Sequence, residues 1–267
     1  DNVPNELLTS ICEDEIMALT IFFKTMAASG QVPAMLQTSH TILLAKPGMS
    51  EAESQKPTAY RPIALLPTIY KLYTGTINAL LQDYLRDHST VKATQSGFQR
   101  FGRTWQHITA ITRLMEHSML HRKPLYILLV DFKAAYPSVP HDRLLDTLKL
   151  LGLPADFLTI VQSLYANAST QIRGHNFLTD PIPLKRGVLQ GDALSCQLYN
   201  LYIEPLLRWL SEGEGYRYTD QCGQTQQDTT MLINRTPNTT ENDIEADPER
   251  AYADDLACLA GGDGTEL

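Results

Sequence analysis

The chain has 267 residues, with 22 Lys and Arg against 30 Asp and Glu, and a formal charge of −8 at pH 7. Hydrophobic residues at 43% and charged residues at 19% exclude a disordered polymer and suffice for a substantial core. The four cysteines lack paired spacing, and neither a signal peptide nor an apolar run long enough to span a membrane is visible. These features favour an intracellular protein. The acidic balance, taken alone, argues against a nucleic-acid partner.

The first 120 residues are predicted to be mainly helical. Pro4 precedes an apolar-periodic stretch that indicates one helix or two. A short apolar run at 41–45 ends in a Lys-Pro-Gly turn and predicts a strand. Apolar residues at helical spacing predict two further helices, at 69–85 and 108–115.

The second half alternates predicted strands and helices. Residues 125–130 are apolar without alternation, which predicts a strand buried on both faces. A strand pair is predicted within 170–184, and residues 211–250 are polar and acidic, typical of a long surface insertion. Helices are predicted at 140–151, 158–165 and 194–210, and a hairpin at 250–260.

Three features of this pattern could carry chemistry. Asp131 ends a predicted buried strand, where a carboxylate needs a cation or hydrogen-bond donors, although it could simply cap a turn. Asp254 and Asp255 are adjacent like charges at the tip of the predicted hairpin, which suits a divalent metal or an exposed turn. The glycine-bearing loop 187–195 lets a ligand approach the backbone, or is an ordinary strand-to-helix turn.

Six short blocks occur between residues 40 and 260, at 43–48, 60–63, 95–98, 130–136, 187–195 and 252–255. In sequence and in order they resemble the motifs of reverse transcriptases: two fingers motifs, the segment before motif A, and motifs A, B and C. They are most similar to the motifs of non-LTR (LINE-like) retrotransposon enzymes, with group II intron and retron enzymes more distant.

The resemblance implies an α+β fold, namely the fingers and palm of a right-hand polymerase with a small antiparallel palm sheet packed on helices. The expected division is fingers and N-terminal helices at 1–120 and a palm with a metal site at 121–267. The palm includes a returning segment at 166–190 and the insertion 211–250. Because only 261–267 follow the hairpin, the thumb is expected to be absent and the chain a truncated fragment.

The implied activity is RNA-directed DNA polymerisation, in which dNTPs are added to a primer 3′-hydroxyl on an RNA template. Two Mg²⁺ ions, with Mn²⁺ as a possible substitute, would be needed. By position in the motifs, Asp131, Asp254 and Asp255 are the expected catalytic metal ligands, and Phe132 would add its backbone carbonyl. The resemblance requires no general base, because positioning and charge stabilisation dominate phosphoryl transfer.

The resemblance also implies a set of nucleotide-binding residues. Lys46 and Arg61 match the fingers cations that contact the incoming triphosphate. Tyr136 lies where the family carries an aromatic steric gate under the sugar, although Phe is more usual there. The remaining candidates are Gln190 and Gly191, which would line the nucleotide and template pocket, and Lys185 and Arg186, which could contact phosphate.

Two alternatives remain beside this reading. One is an RNA-dependent RNA polymerase palm, against which Tyr136 speaks. The other is a catalytically silent remnant that binds RNA or a partner chain, against which the three intact aspartates speak. A hydrolase is disfavoured because the sequence has no nucleophile elbow, zincin helix or phosphate loop. A nuclear location is expected from the resemblance alone.

The distribution of charge revises the first inference about nucleic acid. Residues 1–39 hold one Lys against five acids, and residues 211–267 hold three Arg against 13 acids. Residues 40–210 hold 18 Lys and Arg against 12 acids, a net charge of +6. The middle of the chain, which holds most of the matched motifs, is therefore basic enough to meet a phosphate backbone.

Overall fold

A computed structural model describes residues 3–48, 50, 52, 55–91, 95–99, 103–212, 217–218, 244–245, 249–252 and 255–260. The α-helices in these residues are α1 (Glu13–Ser29), α2 (Thr68–His88), α3 (Thr104–His121), α4 (Ala135–Ser138), α5 (His141–Leu150), α6 (Ala155–Ala166) and α7 (Ala193–Leu210). The strands are β1 (Thr38–Ala45), β2 (Tyr60–Leu65), β3 (Tyr126–Asp131), β4 (Ser169–Ile172), β5 (Ile182–Pro183), β6 (Arg217–Tyr218), β7 (Ile244–Glu245), β8 (Glu249–Tyr252) and β9 (Asp255–Ala260). Short 3₁₀ helices cover Asn5–Thr9, Ala34–Leu36 and Pro57–Ala59.

The larger sheet is mixed and has four strands in the order β2-β1-β4-β5. Strand β1 pairs antiparallel with β2 and parallel with β4, and β4 pairs antiparallel with β5. Hydroxyl groups reinforce the parallel pairing, since Thr41 Oγ1 lies 2.7 Å from Thr170 Oγ1. The predicted strand at 41–45 and the strand pair within 170–184 are confirmed, but no sequence pattern indicated that they share one sheet.

Helix α2 shows why the periodic segments fold as predicted. Its buried residues recur three or four positions apart, which places them on one face. Tyr73 is among them and packs against Phe23 of α1 with ring centroids 5.3 Å apart. The helices α5, α6 and α7 contribute further fully buried leucines, including Leu144, Leu164 and Leu194.

The smaller sheet is antiparallel, with three strands in the order β3-β9-β8. Leu259 of β9 packs with Leu114 of α3 and with Leu125. The expectation that the strand at 125–130 is buried on both faces is wrong, because Leu128 is 48% and Leu129 74% exposed. A run without alternation suggests a central strand covered on both faces, whereas β3 is an edge strand of the described sheet.

The described parts of the chain form two compact units. One contains Asp1–Asp87 and Tyr136–Tyr202, and the other contains His88–Ala135 and Ile203–Leu267. The expected boundary between fingers and palm at residue 120 stays a prediction, since compactness alone does not identify either. Most of the predicted insertion 211–250 lies outside the described residues, although β6 and β7 within it pair antiparallel.

The predicted hairpin at 250–260 is confirmed by the antiparallel pairing of β8 with β9. At the coarse level the fold is a mixture of helices and strands with a mixed four-stranded sheet. None of the described helices has the length and apolar character needed to cross a lipid bilayer.

Candidate active site

The carboxylates of motifs A and C are brought together by strand register. Asp131 is the last residue of β3, and its cross-strand partner is Asp255, the first residue of β9. Tyr252 of β8 is the other partner of Asp255. Residues directly opposite each other in an antiparallel pair have Cα atoms about 4.5–5.5 Å apart. The Asp131 side chain is exposed, so this end of the sheet is open to solvent at that strand.

The remaining predicted metal ligands are only partly described. Asp254 lies outside the described residues, and for Asp255 the description is limited to the backbone. Phe132 follows directly after β3 and is half-buried. Within the described side chains, no cluster of three or more His, Cys, Asp and Glu is arranged to hold a metal. The backbone register of Asp131 and Asp255 is therefore the geometric evidence for a metal site.

Lys46 and Arg61 lie near the same end of the pairing between β1 and β2, in the other unit. Arg61 of β2 is paired with Leu44 of β1, and Lys46 follows Leu44 by two residues. Directly past the end of β1, the Lys46 N–H donates to the Ala59 carbonyl oxygen at 3.0 Å. Both side chains are exposed, as residues that contact a charged ligand must be.

The motif B loop is attached to the outer edge of β2. The Ala64 N–H donates to the Gln190 carbonyl oxygen at 2.8 Å. Gly191 has a φ of +122°, and a Cβ atom placed there would lie 2.6 Å from the Ala64 carbonyl oxygen. Both the conformation and the close approach therefore require glycine. The Gln190 side chain is exposed.

Tyr136, the predicted steric gate, is held by the same loop. The Val188 N–H donates to the Tyr136 carbonyl oxygen at 2.9 Å. The Tyr136 ring stacks on that of Tyr199 in α7, with centroids 4.8 Å apart and planes inclined by 12°. Burial raises the pKa of the Cys196 thiol, and a hydrogen bond with the Tyr136 side chain acts in the opposite direction. Tyr136 is half-buried, and the stacked ring of Tyr199 covers one face of its ring.

Lys185 and Arg186 precede this loop and are both exposed. Arg186 forms an isolated antiparallel bridge with Pro140. Nothing in their surroundings distinguishes them from other surface cations, so their contact with phosphate stays a prediction.

Asp192 is a residue of this region to which the sequence assigned no role. Its side chain is only 4% exposed, and its Oδ1 accepts a hydrogen bond from Thr74 Oγ1 at 2.8 Å. Burial raises the pKa of Asp192, while hydrogen bonds from Thr74 and from the backbone N–H groups of Leu194 and Ala193 lower it. A signal was present, because an Asp directly before a long apolar helix is typical of an N-cap.

The predicted residues thus fall into two groups. Lys46, Arg61, Tyr136, Gln190 and Gly191 belong to the unit that contains Asp1–Asp87 and Tyr136–Tyr202. The pairing of Asp131 with Asp255 belongs to the other unit, as does Phe132. Within each unit the fold brings together residues that are far apart in the sequence.

The order of the motifs and the register pairing of the motif A and motif C aspartates are typical of a template-directed polymerase. A family model described as "Reverse transcriptase (RNA-dependent DNA polymerase)" matches residues 45–263. The chain belongs to the reverse transcriptase family, and it is a reverse transcriptase domain related to those of non-LTR retrotransposons.

Two relatives illustrate this relationship. The chain is 28% identical over 181 residues to the retrovirus-related Pol polyprotein from the type-2 retrotransposable element R2DM of Drosophila melanogaster, covering 68% of this chain and 16% of that protein. It is 25% identical over 206 residues to the probable RNA-directed DNA polymerase from transposon BS of the same species, covering 77% of this chain and 22% of that protein. The chain therefore spans about a fifth of the length of these curated relatives.

The solved structures that the chain resembles include telomerase. The telomerase from Candida tropicalis, solved in complex with a TWJ fragment of telomeric RNA, matches with a TM-score of 0.50 and 12% identity, covering 93% of this chain and 40% of that one. At this identity the likeness concerns the fold alone, and it agrees with the mixture of helices and strands described above.

Proposed function

We propose that this chain provides the fingers and palm of an RNA-directed DNA polymerase that transfers the nucleotidyl group of a dNTP to a primer 3′-hydroxyl, with release of pyrophosphate, by a two-metal mechanism. The observation that carries the proposal is the register pairing of Asp131 with Asp255. Motifs A and C are separated by more than 100 residues of sequence. Acidic residues at paired positions of two strands destabilise the pairing unless a cation binds there.

The donors in this part of the chain suit Mg²⁺. The ion prefers carboxylate oxygens and completes its shell with water and substrate phosphate. We assign the ligands to Asp131, Asp254 and Asp255, with the backbone carbonyl of Phe132 as a further oxygen. When bound, two such ions activate the 3′-hydroxyl and stabilise the charge on the leaving pyrophosphate, and Mn²⁺ is the expected substitute.

The other proposed roles belong to residues that bind and select the nucleotide. Two exposed cations, Lys46 directly after β1 and Arg61 of β2, neutralise the triphosphate, with Arg61 able to bind two oxygens at once. The ring of Tyr136 excludes a 2′-hydroxyl. Gln190 and Gly191 lie against the templating base pair, where a glycine permits close approach.

The domain assignment and the partners follow from these roles. We place the fingers and N-terminal helices at 1–120 and the palm at 121–267, with RNA template, DNA primer and dNTPs as the bound molecules. Lys185 and Arg186 are assigned to the nucleic-acid backbone. The resemblance to LINE-like enzymes leads us to place the protein in the nucleus, to be tested by imaging a tagged copy.

The direct test is primer extension on an RNA template with dNTPs and Mg²⁺. Asp131→Asn and Asp254→Asn are each expected to lower the rate by about 100-fold or more, because each removes a charge that holds a catalytic ion. Asp146→Asn, which alters an exposed carboxylate of α5, is the matched control and is expected to extend primers as the unchanged protein does. Extension by Asp131→Asn at the normal rate would exclude the metal assignment. Preferential use of ribonucleotides would indicate an RNA polymerase instead.

A further inference from the structure

Asp192 is a buried carboxylate that the proposed chemistry does not use. It follows directly after Gln190 and Gly191, and it precedes the first residue of α7. Its side chain accepts hydrogen bonds from the backbone N–H groups of Leu194 and Ala193, so it caps that helix. A cap alone does not need burial, since most N-cap residues lie at the protein surface. The burial of this carboxylate therefore calls for a second explanation.

The second interaction of Asp192 joins it to helix α2. Thr74 has no exposed surface, and its Oγ1 lies 2.8 Å from Asp192 Oδ1. The same hydroxyl lies 3.1 Å from the carbonyl oxygen of Tyr70 and 3.4 Å from that of Lys71. A hydroxyl has one proton to donate, and the shortest contact, to a charged acceptor, is the strongest of the three. Thr74 therefore directs its proton to Asp192.

The loop before Asp192 is fixed on its other side by β2. The Gln190 carbonyl oxygen accepts from the Ala64 N–H, and Gly191 approaches the Ala64 carbonyl oxygen. The Asp192 N–H donates to the Leu189 carbonyl oxygen at 3.2 Å, which closes the turn. Residues 190–192 are thus held between the edge of β2 and the buried face of α2. Strand β2 also carries Arg61, three residues before Ala64.

We propose that the hydrogen bond between Thr74 and Asp192 is a positioning contact that holds Gln190 and Gly191 against β2 in the conformation that binds the incoming nucleotide. This inference rests on the proposed function. Asp192 and Thr74 touch no substrate and act through the loop. The contact joins the residue before α7 to α2, so its loss releases one end of the loop and weakens the Ala64 bond at the other end.

The test replaces the donor without changing its shape. Thr74→Val removes the hydroxyl, and a hydrogen bond to a charged acceptor is worth enough to expect the KM for dNTP to rise about tenfold, with kcat within about twofold. Thr74→Ser keeps the hydroxyl and is expected to restore the KM. Thr76→Val is the matched control, because Thr76 lies on the same helix, is exposed, and donates only to the Leu72 carbonyl oxygen within that helix.

A second measurement does not depend on catalysis. Hydrogen exchange at the Ala64 amide reports directly on its bond to the Gln190 carbonyl oxygen. We expect this amide to exchange at least about tenfold faster in Thr74→Val, and at an unchanged rate in Thr74→Ser and Thr76→Val.

The outcomes separate the inference from the function on which it rests. An unchanged exchange rate at Ala64 in Thr74→Val overturns the positioning contact, whether or not the protein extends primers. A lower melting temperature and a smaller active fraction with an unchanged KM also overturn it, because that is the result of a merely structural bond. If the unchanged protein extends no primer while the Ala64 amide responds as expected, the proposed function fails and the contact stands.

Discussion

Asp131 and Asp255 are register partners in the antiparallel pairing of β3 with β9. Like charges at directly opposite positions of two strands destabilise the pairing. A protein with such a pair at the end of a sheet is therefore stabilised by a cation that binds there, and it is destabilised when the cation is removed. This relationship leads to a measurement of stability that is independent of polymerase activity.

Asp131→Asn is expected to abolish the stabilisation of the protein by Mg²⁺. At an ion concentration about ten times the dissociation constant, binding to the folded state stabilises the unchanged protein by about 1.4 kcal/mol. Without Mg²⁺ the variant is expected to melt at the same temperature as the unchanged protein or slightly above it, because the repulsion across the strands is relieved. Thermal melting with and without Mg²⁺ measures both effects. Asp146→Asn serves as the control, and an undiminished Mg²⁺ effect in Asp131→Asn would contradict the site.

Replacement of Tyr136 tests the steric gate. Tyr136→Ala is expected to lower the preference for dNTPs over rNTPs by about tenfold or more, because the ring that fills the space of a 2′-hydroxyl is gone. Tyr136→Phe keeps the ring and its stack on Tyr199, and is expected to retain the preference. The readout is the kcat/KM for a dNTP divided by the kcat/KM for an rNTP, both measured on one preparation. The fraction of folded protein affects both values equally and therefore cancels in the ratio. An unchanged ratio in Tyr136→Ala would assign the ring to packing alone.

The local elements and the positions of the motifs could be predicted from the sequence. Helix α2 follows from apolar residues at helical spacing, and the hairpin of β8 and β9 follows from two short apolar runs around the aspartates. Both signals lie within a few residues of the structure that they determine. The position of Asp131 at a strand end was predictable for the same reason, whereas Asp255 was expected at the tip of the hairpin and is the first residue of β9.

What the sequence did not reveal depends on residues far apart in the chain. The parallel pairing of β1 with β4 joins Thr41 to residues about 130 positions later, and no local pattern records such a partner. The bond from Thr74 to Asp192 spans 118 positions and was missed for the same reason. The exposure of β3 was predicted wrongly, since a short apolar run does not show whether its strand is central or at an edge.

A pair of glycine substitutions tests the close approach of the motif B loop. Gly191→Ala is expected to destabilise the protein by about 2 kcal/mol or more, since φ is +122° and the new Cβ would lie 2.6 Å from the Ala64 carbonyl oxygen. Gly75→Ala, in α2, meets no atom within 4 Å and is expected to stabilise it by about 0.5–1 kcal/mol. Urea unfolding measures both. Equal changes in the free energy of unfolding for the two substitutions would contradict the close approach of Gly191 to the Ala64 carbonyl oxygen.

The buried carboxylate of Asp192 predicts a pH dependence of stability. Burial raises the pKa of this group in the folded protein above its ordinary value, so the folded state holds the proton more tightly than the unfolded chain does. The contribution of Asp192 to stability is therefore fully present below the unfolded pKa, and it decreases as the pH rises through the folded pKa.

Asp192→Asn removes this titration while keeping an acceptor oxygen for Thr74. The free energy of unfolding of the unchanged protein, minus that of the variant, is expected to fall as the pH rises above the unfolded pKa of about 3.9, and to level off above the folded pKa. Urea unfolding at a series of pH values measures the difference, in which the titrations of all other groups cancel. Asp146→Asn, at an exposed site, is the control. A difference that rises with pH would mean that hydrogen bonds to the charged form outweigh burial, and would reverse the sign assigned to this carboxylate.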